Sequence, residues 1–548
     1  MNAPLRTKQM QSTRVVGEPM VWLSAMGLGI GLLMVATLLW VIVVNGVGVF
    51  WPKRIEVFTF SVDGKEEVIA GELVKEQFKA SSVQGKQGAA EFQLFTGNKD
   101  LYGQGFRYID VAAITKRTMP SEALLVERLQ YGNAIGAPIR LMIKGEQPIV
   151  VTDPRFRVRL GELIAEVADR REAILHLEQG EIGAINREIS DLEFRLKVVA
   201  GKDPVAEQAT NQRIADLRIS YNGLNAKAKE LRALQVDDQL VIRPYGGEER
   251  IISMGEVVST TWSNELSWFG QVGTFFGHLW SFLVEKPREA NTEGGIFPAI
   301  FGTFMMTILM SLAVTPFGVV AAIYLREYAK QGPVVRAVRI AVNNLAGVPS
   351  IVFGVFGLGF FVYIVGGSVD SLFFSEKLPT PTFGTGGILW AALTLALMTV
   401  PVVIVATEES IAAVPRGAKE GSLALGASKW QTIQRVVLPA AIPGILTGLI
   451  LAMARGAGEV APLMLVGVVK IAPSLPLDGI YPFVHLDQKF MHLGFHIFDL
   501  GFQSPDSEAA KPMVFATTLL LIALVMVLNL GAIILRERIR RRFATSAF

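Results

Sequence analysis

Two ionisable residues, Arg455 and Glu459, stand inside an otherwise apolar run at 443–468. A charge within the hydrocarbon layer is costly unless it is paired or faces a polar path. Their spacing of four predicts that both lie on one helix face, within reach of each other. A guanidinium offers a permanent charge and a fork of donors, which suits an oxyanion. The pair therefore either locks this helix to a neighbour or lines a path for an anion.

Two more acidic residues, Glu408 and Glu409, follow the apolar run at 387–406. They either contribute to the same path or form an acidic patch that faces basic residues of a partner.

The run at 341–366 contains a helix-breaking sequence, Gly347-Val348-Pro349-Ser350. Proline removes a backbone donor and glycine loosens the helix, so we expect a break or kink here. Such a break either aims backbone N–H groups at an anion or serves packing alone.

Other chemistries are disfavoured by composition. The chain has no cysteine, which excludes disulfides, thiolate catalysis and Cys-ligated metals. It has no GxxxxGK[ST] run, so we expect no P-loop nucleotide site. The net charge of +3 is too near balance to favour a nucleic-acid partner. We therefore predict that this chain is not an enzyme and holds no cofactor.

A histidine pair, His492 and His496, lies near Asp487 and Asp499 in the last loop. Such helical pairs with acidic neighbours can hold zinc. Because no further histidine is near in sequence and the flanks are aromatic and amphipathic, an interfacial loop is favoured and no metal site is predicted.

The composition, 51% hydrophobic and 18% charged with a mean hydropathy of +0.41, is typical of a polytopic membrane protein with some soluble mass. A span needs about 20 apolar residues. The segments that qualify are 22–50, 296–325, 341–366, 387–406, 443–468 and 513–535. The first is too long for a signal-peptide core and no cleavage site follows it, so we expect it to remain as an anchor.

Basic clusters fix the predicted orientation. Arg6, Lys8 and Arg14 precede the first span, RERIRRR at 536–542 follows the last, and two further clusters lie at 326–339 and 416–435. The positive-inside rule places all of them in the cytoplasm. The tails at 1–21 and 536–548 are then cytoplasmic, and residues 51–295 lie on the outer side of the membrane.

The outside segment reads as a β domain interrupted by helices. Strand-like pieces such as RIEVFTFSV and PIRLMI are followed by helical sequence, and strands resume at QLVIRPY. Between 160 and 236, apolar residues recur at spacings of three and four on both sides of GKDP. This pattern indicates an antiparallel coiled-coil hairpin. We predict an α+β insertion at 51–262 that either docks a partner or packs against its own span ends.

The segment at 263–295 contains the aromatic, glycine-interrupted stretch WFGQVGTFFGHLWSFL. It is typical of a helix that lies at the membrane interface. A buried re-entrant segment is the alternative.

The loop at 414–441 carries the most specific motif. Gly426 predicts a sharp turn after a short helix at about 416–428, and Pro439 predicts a break before the next span. The spacing resembles the EAA signature of ABC importer permeases, which reads EAA, three residues, Gly, nine residues, I-x-L-P. The residues that carry it here are Glu420, Gly421, Ser422, Leu425, Gly426, Leu438 and Pro439. In that family the short helix couples to a groove on a separate ATPase subunit.

Further segments resemble the phosphate-specific permeases of the PstA type over nearly all of 294–535 and the first span. They are GGIFPAIFGTFMMT, AAIYLREYA, GVPSIVFGVFG, LPTPTFGTGGI and ILTGLILAMARGAGEVAPLM. The resemblance implies that Arg455, Glu459 and Glu408 serve a phosphate path. One departure is Ala406, where the family usually has an arginine.

The resemblance implies an all-α polytopic protein with a type I ABC importer fold in its core at 296–535. It also implies a PstC-type sister permease, a dimer of PstB-type ATPase subunits that hold ATP and magnesium, and a PstS-type phosphate-binding protein. Membrane lipids surround the spans. Three rivals remain: a permease for sulfate or molybdate, a membrane sensor, and an ion-coupled transporter, the last of which leaves the EAA spacing unexplained.

Overall fold

The computed structural model describes residues 19–62, 64–79, 88–199, 202–472, 474–479 and 483–544. Within these residues, six helices are long and apolar enough to cross a membrane, which confirms the predicted number. Spans one to six are Met20–Gly48, Phe297–Tyr328, Ser350–Phe373, Ile388–Ala412, Lys429–Gly458 and Ser507–Arg541. The basic residues Arg6, Lys8 and Arg14 lie outside the described part of the chain.

The helices of the described residues alternate between long spans and short connecting elements. In chain order they are α1 (Pro19–Gly48), α2 (Lys99–Tyr102), α3 (Phe156–Leu175), α4 (Gly183–Val199), α5 (Pro204–Asp237), α6 (Trp268–Val284), α7 (Phe297–Ile323), α8 (Pro333–Leu345), α9 (Ser350–Phe356), α10 (Gly367–Phe373), α11 (Ile388–Ala412), α12 (Arg416–Ala424), α13 (Lys429–Thr432), α14 (Leu438–Gly458), α15 (Ala461–Val466), α16 (Leu493–Phe498) and α17 (Ser507–Ala544). Segments of π-helix extend several of them, at His176–Ile182, Tyr324–Tyr328, Gly357–Gly366, Ile433–Val437 and Asp499–Gln503.

Residues 55–261, between spans one and two, form a separate unit that we call the inserted domain. Its strands are β1 (Ile55–Val62), β2 (Lys65–Phe78), β3 (Ala90–Phe95), β4 (Phe106–Asp110), β5 (Ile114–Thr118), β6 (Leu124–Arg128), β7 (Ala134–Met142), β8 (Ile149–Val150), β9 (Gln239–Arg243), β10 (Arg250–Ser253) and β11 (Val257–Thr261). A short ribbon of β12 (Pro287–Arg288) and β13 (Glu293–Gly294) follows it.

The strands form two antiparallel sheets, ordered β4-β3-β2-β1-β5 and β10-β9-β7-β6-β11, with β8 paired to β7. Successive side chains of a strand point to opposite faces of the sheet. In β1 both of these faces are buried. Ile55 and Val57 pack with Leu125 and Ile135 of the second sheet. The other face of β1 packs with β2, β3 and β4, and helix α3 covers the second sheet.

Helices α3 to α5 leave this β domain as a long hairpin. Along α5, Ile214, Leu217 and Ala228 are buried, in keeping with the spacing of three and four in the sequence. Ion pairs join the two arms, for example Arg213 with Glu188 and Arg232 with Glu178. The structure thus contains the helical hairpin, and its assignment as a coiled coil stays a prediction.

Helix α6 follows the inserted domain and lies against the ends of spans one, two and six. Its Phe275, Leu279 and Phe282 join a cluster that includes Phe50 and Met513. Its other face exposes Trp268, Phe269, Phe276 and Trp280. This two-sided aromatic helix is compatible with the predicted interfacial position, which stays a prediction.

Spans two, four and five form the tightly packed centre of the membrane core. Gly318 of span two would place a Cβ only 2.6 Å from Val403 of span four, and Gly456 of span five is equally close to Met310, at 2.4 Å. Glycine at such contacts lets helix backbones approach closely, which is how apolar spans associate in lipid. These three spans therefore form one packed body.

Candidate functional site

Helix α12, the predicted coupling helix, is short and presents much of its surface to solvent. Glu420 and Gly421 are exposed, and Leu425, just past the helix end, is 91% exposed. Gly426 has φ +87°, a left-handed conformation that glycine adopts without strain and that turns the chain sharply. Ser428 and Gln431 then form a capping box that starts the next helix.

The opposite side of α12 is held by the membrane core. Lys419 pairs with Glu327 at the end of span two, with Nζ 2.6 Å from Oε1. Ser422 Oγ lies 3.0 Å from Thr432 Oγ1 at the start of span five. Lys429 donates to the Glu327 carbonyl and lies over the Tyr328 ring. A cavity of about 380 Å³ lies between these elements. One face of α12 is thus open for a partner while the other contacts two spans.

The predicted break at Pro439 is wrong. Leu438 and Pro439 lie inside the continuous span Lys429–Gly458. The π-helical segment Ile433–Val437 comes directly before them. A π-helical segment spaces its backbone hydrogen bonds differently from an α-helix. The helix can therefore continue although Pro439 has no N–H to donate.

Arg455 and Glu459 are neighbours, but the predicted helix face is wrong. Helix α14 ends at Gly458, and Glu459 has an extended conformation with φ −79° and ψ 137°. The two side chains still meet, with Arg455 Nε 3.7 Å from Glu459 Oε1. Span five therefore ends at Gly458, and the short helix α15 follows after an interruption at residues 459–460.

The predicted break in span three lies before that span instead of inside it. Helix α8 ends at Leu345, and Gly347 and Pro349 form the turn that leads to Ser350, where span three begins. The segments that follow the two interruptions touch each other, because a Cβ on Gly354 would lie 2.7 Å from Pro462 Cα. The breaks of spans three and five thus lie side by side in the packed core.

Glu408 is paired within the chain. Arg339 of α8 donates to Glu408 Oε1 from Nε at 3.3 Å and from Nη2 at 3.2 Å. Glu409 is exposed. No local pattern in the sequence points to the partners Arg339 and Glu327, because an ion pair between distant residues depends on packing. In the sequence Arg339 stands out only as a member of a basic cluster.

Ala406 faces a close approach of spans four and five. A Cβ on Gly448 would lie 2.4 Å from Ala406 Cβ. A long side chain at position 406 would meet span five at this contact. Close helix packing therefore explains why a small residue occupies a position where an arginine was expected.

The two histidines are buried, and the predicted interfacial position of this loop stays a prediction. His492 Nδ1 accepts from the Gly494 N–H and caps α16, and His496 packs against Thr517 of span six. Burial lowers the pKa of His492 to about 3 and that of His496 to about 4. Among the described residues no group of three potential metal ligands occurs.

Comparison with known proteins agrees with this geometry. Residues 314–545, which include α12 and both interruptions, match the family described as binding-protein-dependent transport system inner membrane component. The probable ABC transporter permease YqgI of Bacillus subtilis is 32% identical over 258 residues, which cover 46% of this chain and 81% of that protein. The chain belongs to the binding-protein-dependent ABC permease family.

This permease has further relatives in the same family. YqgH of Bacillus subtilis, a probable ABC transporter permease, is 34% identical over 35% of this chain and 59% of its own length. The phosphate transport system permease PstA of Mycobacterium leprae is 37% identical over 34% of this chain and 56% of its own length. The permease thus spans somewhat more than half of these two relatives. The predicted resemblance to PstA-type permeases is confirmed.

Among solved structures, a subunit of the MetNI methionine ABC transporter is 18% identical, with a TM-score of 0.32 over 44% of this chain and 94% of that chain. The family assignment rests on the sequence relatives.

Proposed function

We propose that this permease is the subunit of an ATP-driven importer that moves inorganic phosphate across the inner membrane. The observation that carries the proposal is the coupling helix α12, open on one side and joined to spans two and five on the other. The phosphate permease relatives support the choice of substrate.

The proposed assembly contains a PstC-type sister permease, two PstB-type ATPase subunits that carry ATP and magnesium, and a PstS-type phosphate-binding protein. Both termini and α12 lie in the cytoplasm, and the inserted domain lies outside. Helix α6 then lies in the outer lipid interface, since it packs on the ends of spans one, two and six and exposes four large aromatic residues.

Coupling would run from α12 into the packed centre of the core. Movement of α12 is transmitted to span two by the Lys419–Glu327 pair and to span five by the turn at Gly426. Because spans two, four and five are in close contact, they would move together. The residues at 346–349 and 459–460 connect helices of the core. At these points the helices can shift relative to one another without unfolding.

The proposed phosphate path passes Arg455. Its side chain is 37% exposed in the isolated chain and its guanidinium is not fully occupied by Glu459, whose contact is a single 3.7 Å approach. Arg455 would attract the phosphate oxygens, and Glu459 would hold the arginine and keep phosphate from binding too tightly to leave.

The test is uptake into proteoliposomes that contain this permease with its sister permease and ATPase. Binding protein is added outside, and labelled phosphate and labelled sulfate are offered side by side. We expect ATP-dependent phosphate uptake that is lost in Glu420→Arg and in Arg455→Gln. The matched control Arg538→Glu reverses an exposed charge in the basic last turns of span six and should leave uptake intact.

Three other outcomes would revise the proposal. Uptake of sulfate alone would change the substrate and leave the coupling intact. ATPase binding without uptake of either anion would favour a sensor. Uptake that follows a proton or sodium gradient without ATP would contradict the importer.

A further inference from the structure

The inserted domain contacts the rest of the chain at several places, and three of these contacts differ in strength. The first lies at the start of span six. Gln93 of β3, which is fully buried, donates from Nε2 to Glu508 Oε2 at 3.0 Å and lies 3.0 Å from the Tyr108 hydroxyl. A buried, doubly bonded amide makes this a fixed contact, because breaking it leaves polar groups without partners.

The second contact is a strained turn before span two. Glu289, Ala290 and Asn291 all have positive φ, at 44°, 53° and 74°. Non-glycine residues adopt this conformation only when their surroundings hold them there. Asn291 is 1% exposed and donates from Nδ2 to the Lys470 carbonyl at 3.1 Å, while Lys99 of the inserted domain pairs with Glu289. The turn is thus fixed to the loop after span five, and the inserted domain is joined to the turn by the Lys99–Glu289 pair, whose side chains are 22% and 24% exposed.

The third contact is made by the far end of the helical hairpin. Asp191 of α4 pairs with Lys377, with the carboxylate 3.3 Å from Nζ. Phe194, Phe373 and Phe374 surround a cavity of about 230 Å³ at this contact. The arm is anchored at its other end by Arg171, which donates to the carbonyls of Gly255 and Val257. From Val167 to Asp191 the arm is about 36 Å long at the usual helical rise.

This third contact is far weaker than the other two. Asp191 and Lys377 are 60% and 37% exposed, so water and salt screen their attraction. The neighbouring aromatic side chains leave space unfilled, which forfeits part of the packing attraction. The end of the hairpin can therefore separate from the core while the Gln93–Glu508 and Lys99–Glu289 contacts persist.

The hairpin also contains a soft point along its length. The π-helical segment His176–Ile182 includes Gly180, and Gly183 follows it. On the opposite arm, Gly223 lies between Arg213 and Arg232. These two arginines pair with Glu188 and Glu178, which lie on either side of Gly180 and Gly183 in sequence. Helices are weakened by glycine and bend at π-helical segments. The hairpin can bend at this level while its base stays on the β domain.

The loop that the hairpin contacts is firmly connected to two spans. Buried Asp370 at the end of span three accepts N–H bonds from Thr382, Phe383 and Gly384 at 2.7–3.0 Å. Trp390 of span four donates to the Phe383 carbonyl at 2.7 Å. A displacement of Lys377 would therefore reach the ends of both spans.

We propose that the helical hairpin is a releasable arm that holds the loop between spans three and four, while the rest of the inserted domain stays fixed on span six and on the turn before span two. Release of the arm lets the outer ends of spans three and four move. Only the uptake measurement in the test below rests on the proposed function. The contact between the arm and the loop is measured by crosslinking, which needs no phosphate.

The test uses paired cysteines, which the natural chain permits because it contains none. Asp191→Cys with Lys377→Cys reports the arm, and Gln93→Cys with Glu508→Cys reports the fixed contact. Both pairs are placed in the full complex in proteoliposomes and joined with a short, thiol-cleavable bifunctional reagent, since a direct disulfide would demand closer backbones.

We expect the arm pair to crosslink in the resting complex and to crosslink less during ATP turnover. Its crosslinked fraction should lose phosphate uptake and regain it on reduction. The Gln93/Glu508 crosslink should form equally in both states and leave uptake unchanged. Normal uptake with the arm crosslinked, or no arm crosslink at rest, would overturn the proposal. If the wild-type complex transports no phosphate, the proposed function fails, and the ATP dependence of the arm crosslink still decides whether the arm is released.

Discussion

Lys419 Nζ lies 2.6 Å from Glu327 Oε1, and this ion pair joins the coupling helix to the end of span two. Both side chains are only about one-fifth exposed, at 21% and 18%. Helix α12 follows span four and precedes span five in sequence. The Lys419–Glu327 pair connects the helix to span two as well. Helix α12 is therefore connected to each of the three spans that form the packed centre of the core, to spans four and five through the chain and to span two through the ion pair.

Loss of this pair should uncouple the permease without releasing its ATPase. In Glu327→Gln the exposed face of α12 is unchanged, so ATPase binding should persist, while phosphate uptake per ATP hydrolysed should fall. The lost attraction is about 1 kcal/mol, since both groups are partly exposed. Uptake and hydrolysis are measured in the same proteoliposomes. The exchange Glu327→Lys with Lys419→Glu should restore part of the coupling. Unchanged coupling in the single variant would show that the pair carries no force.

The contact between Ala406 and Gly448 should tolerate no added atoms. In Gly448→Ala the new Cβ would lie 2.4 Å from Ala406 Cβ, so overpacking should cost about 1–3 kcal/mol and lower the Tm. Gly421→Ala is the matched control, because nothing lies within 4 Å of a Cβ there. Alanine in an exposed helix should stabilise the protein by up to about 1 kcal/mol. A lower Tm in the control alone would contradict the packing argument. Thermal unfolding of the purified chain in detergent provides the measurement.

The Arg339–Glu408 pair allows a structural role of Glu408 to be separated from a role in the anion path. Glu408→Gln should weaken the attachment of α8 and raise hydrogen exchange over 333–345, because the charge that holds Arg339 is lost. Glu409→Gln removes an exposed carboxylate and should change neither exchange nor uptake. Reduced uptake in Glu408→Gln without a change in exchange would instead assign Glu408 to the path.

The seam between the inserted domain and span two should be sensitive to pH. Burial raises the pKa of Glu293 to about 7, an effect that Lys99 and Arg288 oppose and that Glu127 and Glu289 reinforce. Burial likewise raises the pKa of Glu72 to about 7. The folded protein then holds protons that the unfolded chain has already released. The stability contributed by these groups is complete below about pH 4.5 and is lost as the pH rises to about 7.

This expectation is measured as Tm against pH for the full chain in detergent. Glu293→Gln should reduce the slope between pH 4.5 and 7, and Glu72→Gln together with it should reduce the slope further. Glu230→Gln on the exposed face of α5 serves as the control. A slope that does not change in the double variant would contradict the assignment.

The sequence by itself determined the features that repeat locally or that depend on one residue type. Six apolar runs predicted the six spans because burial in lipid demands length and apolarity, independently of the partners of each helix. The spacing from Glu420 to Pro439 predicted a coupling loop, and Gly426 predicted its turn, which the structure confirms with a left-handed conformation that favours glycine. The heptad spacing likewise located the helical hairpin.

Only the tertiary structure decided which charges meet and where helices break. Pro439 does not end a helix, because a π-helical segment directly before it lets the helix continue without the N–H that proline lacks. Glu459 lies outside helix α14, although its spacing of four from Arg455 fits a helix. The pairs Lys419–Glu327, Arg339–Glu408 and Asp191–Lys377 join residues far apart in sequence. The physical reason is that local patterns encode propensity and burial, whereas an ion pair or a close helix contact depends on how distant segments pack.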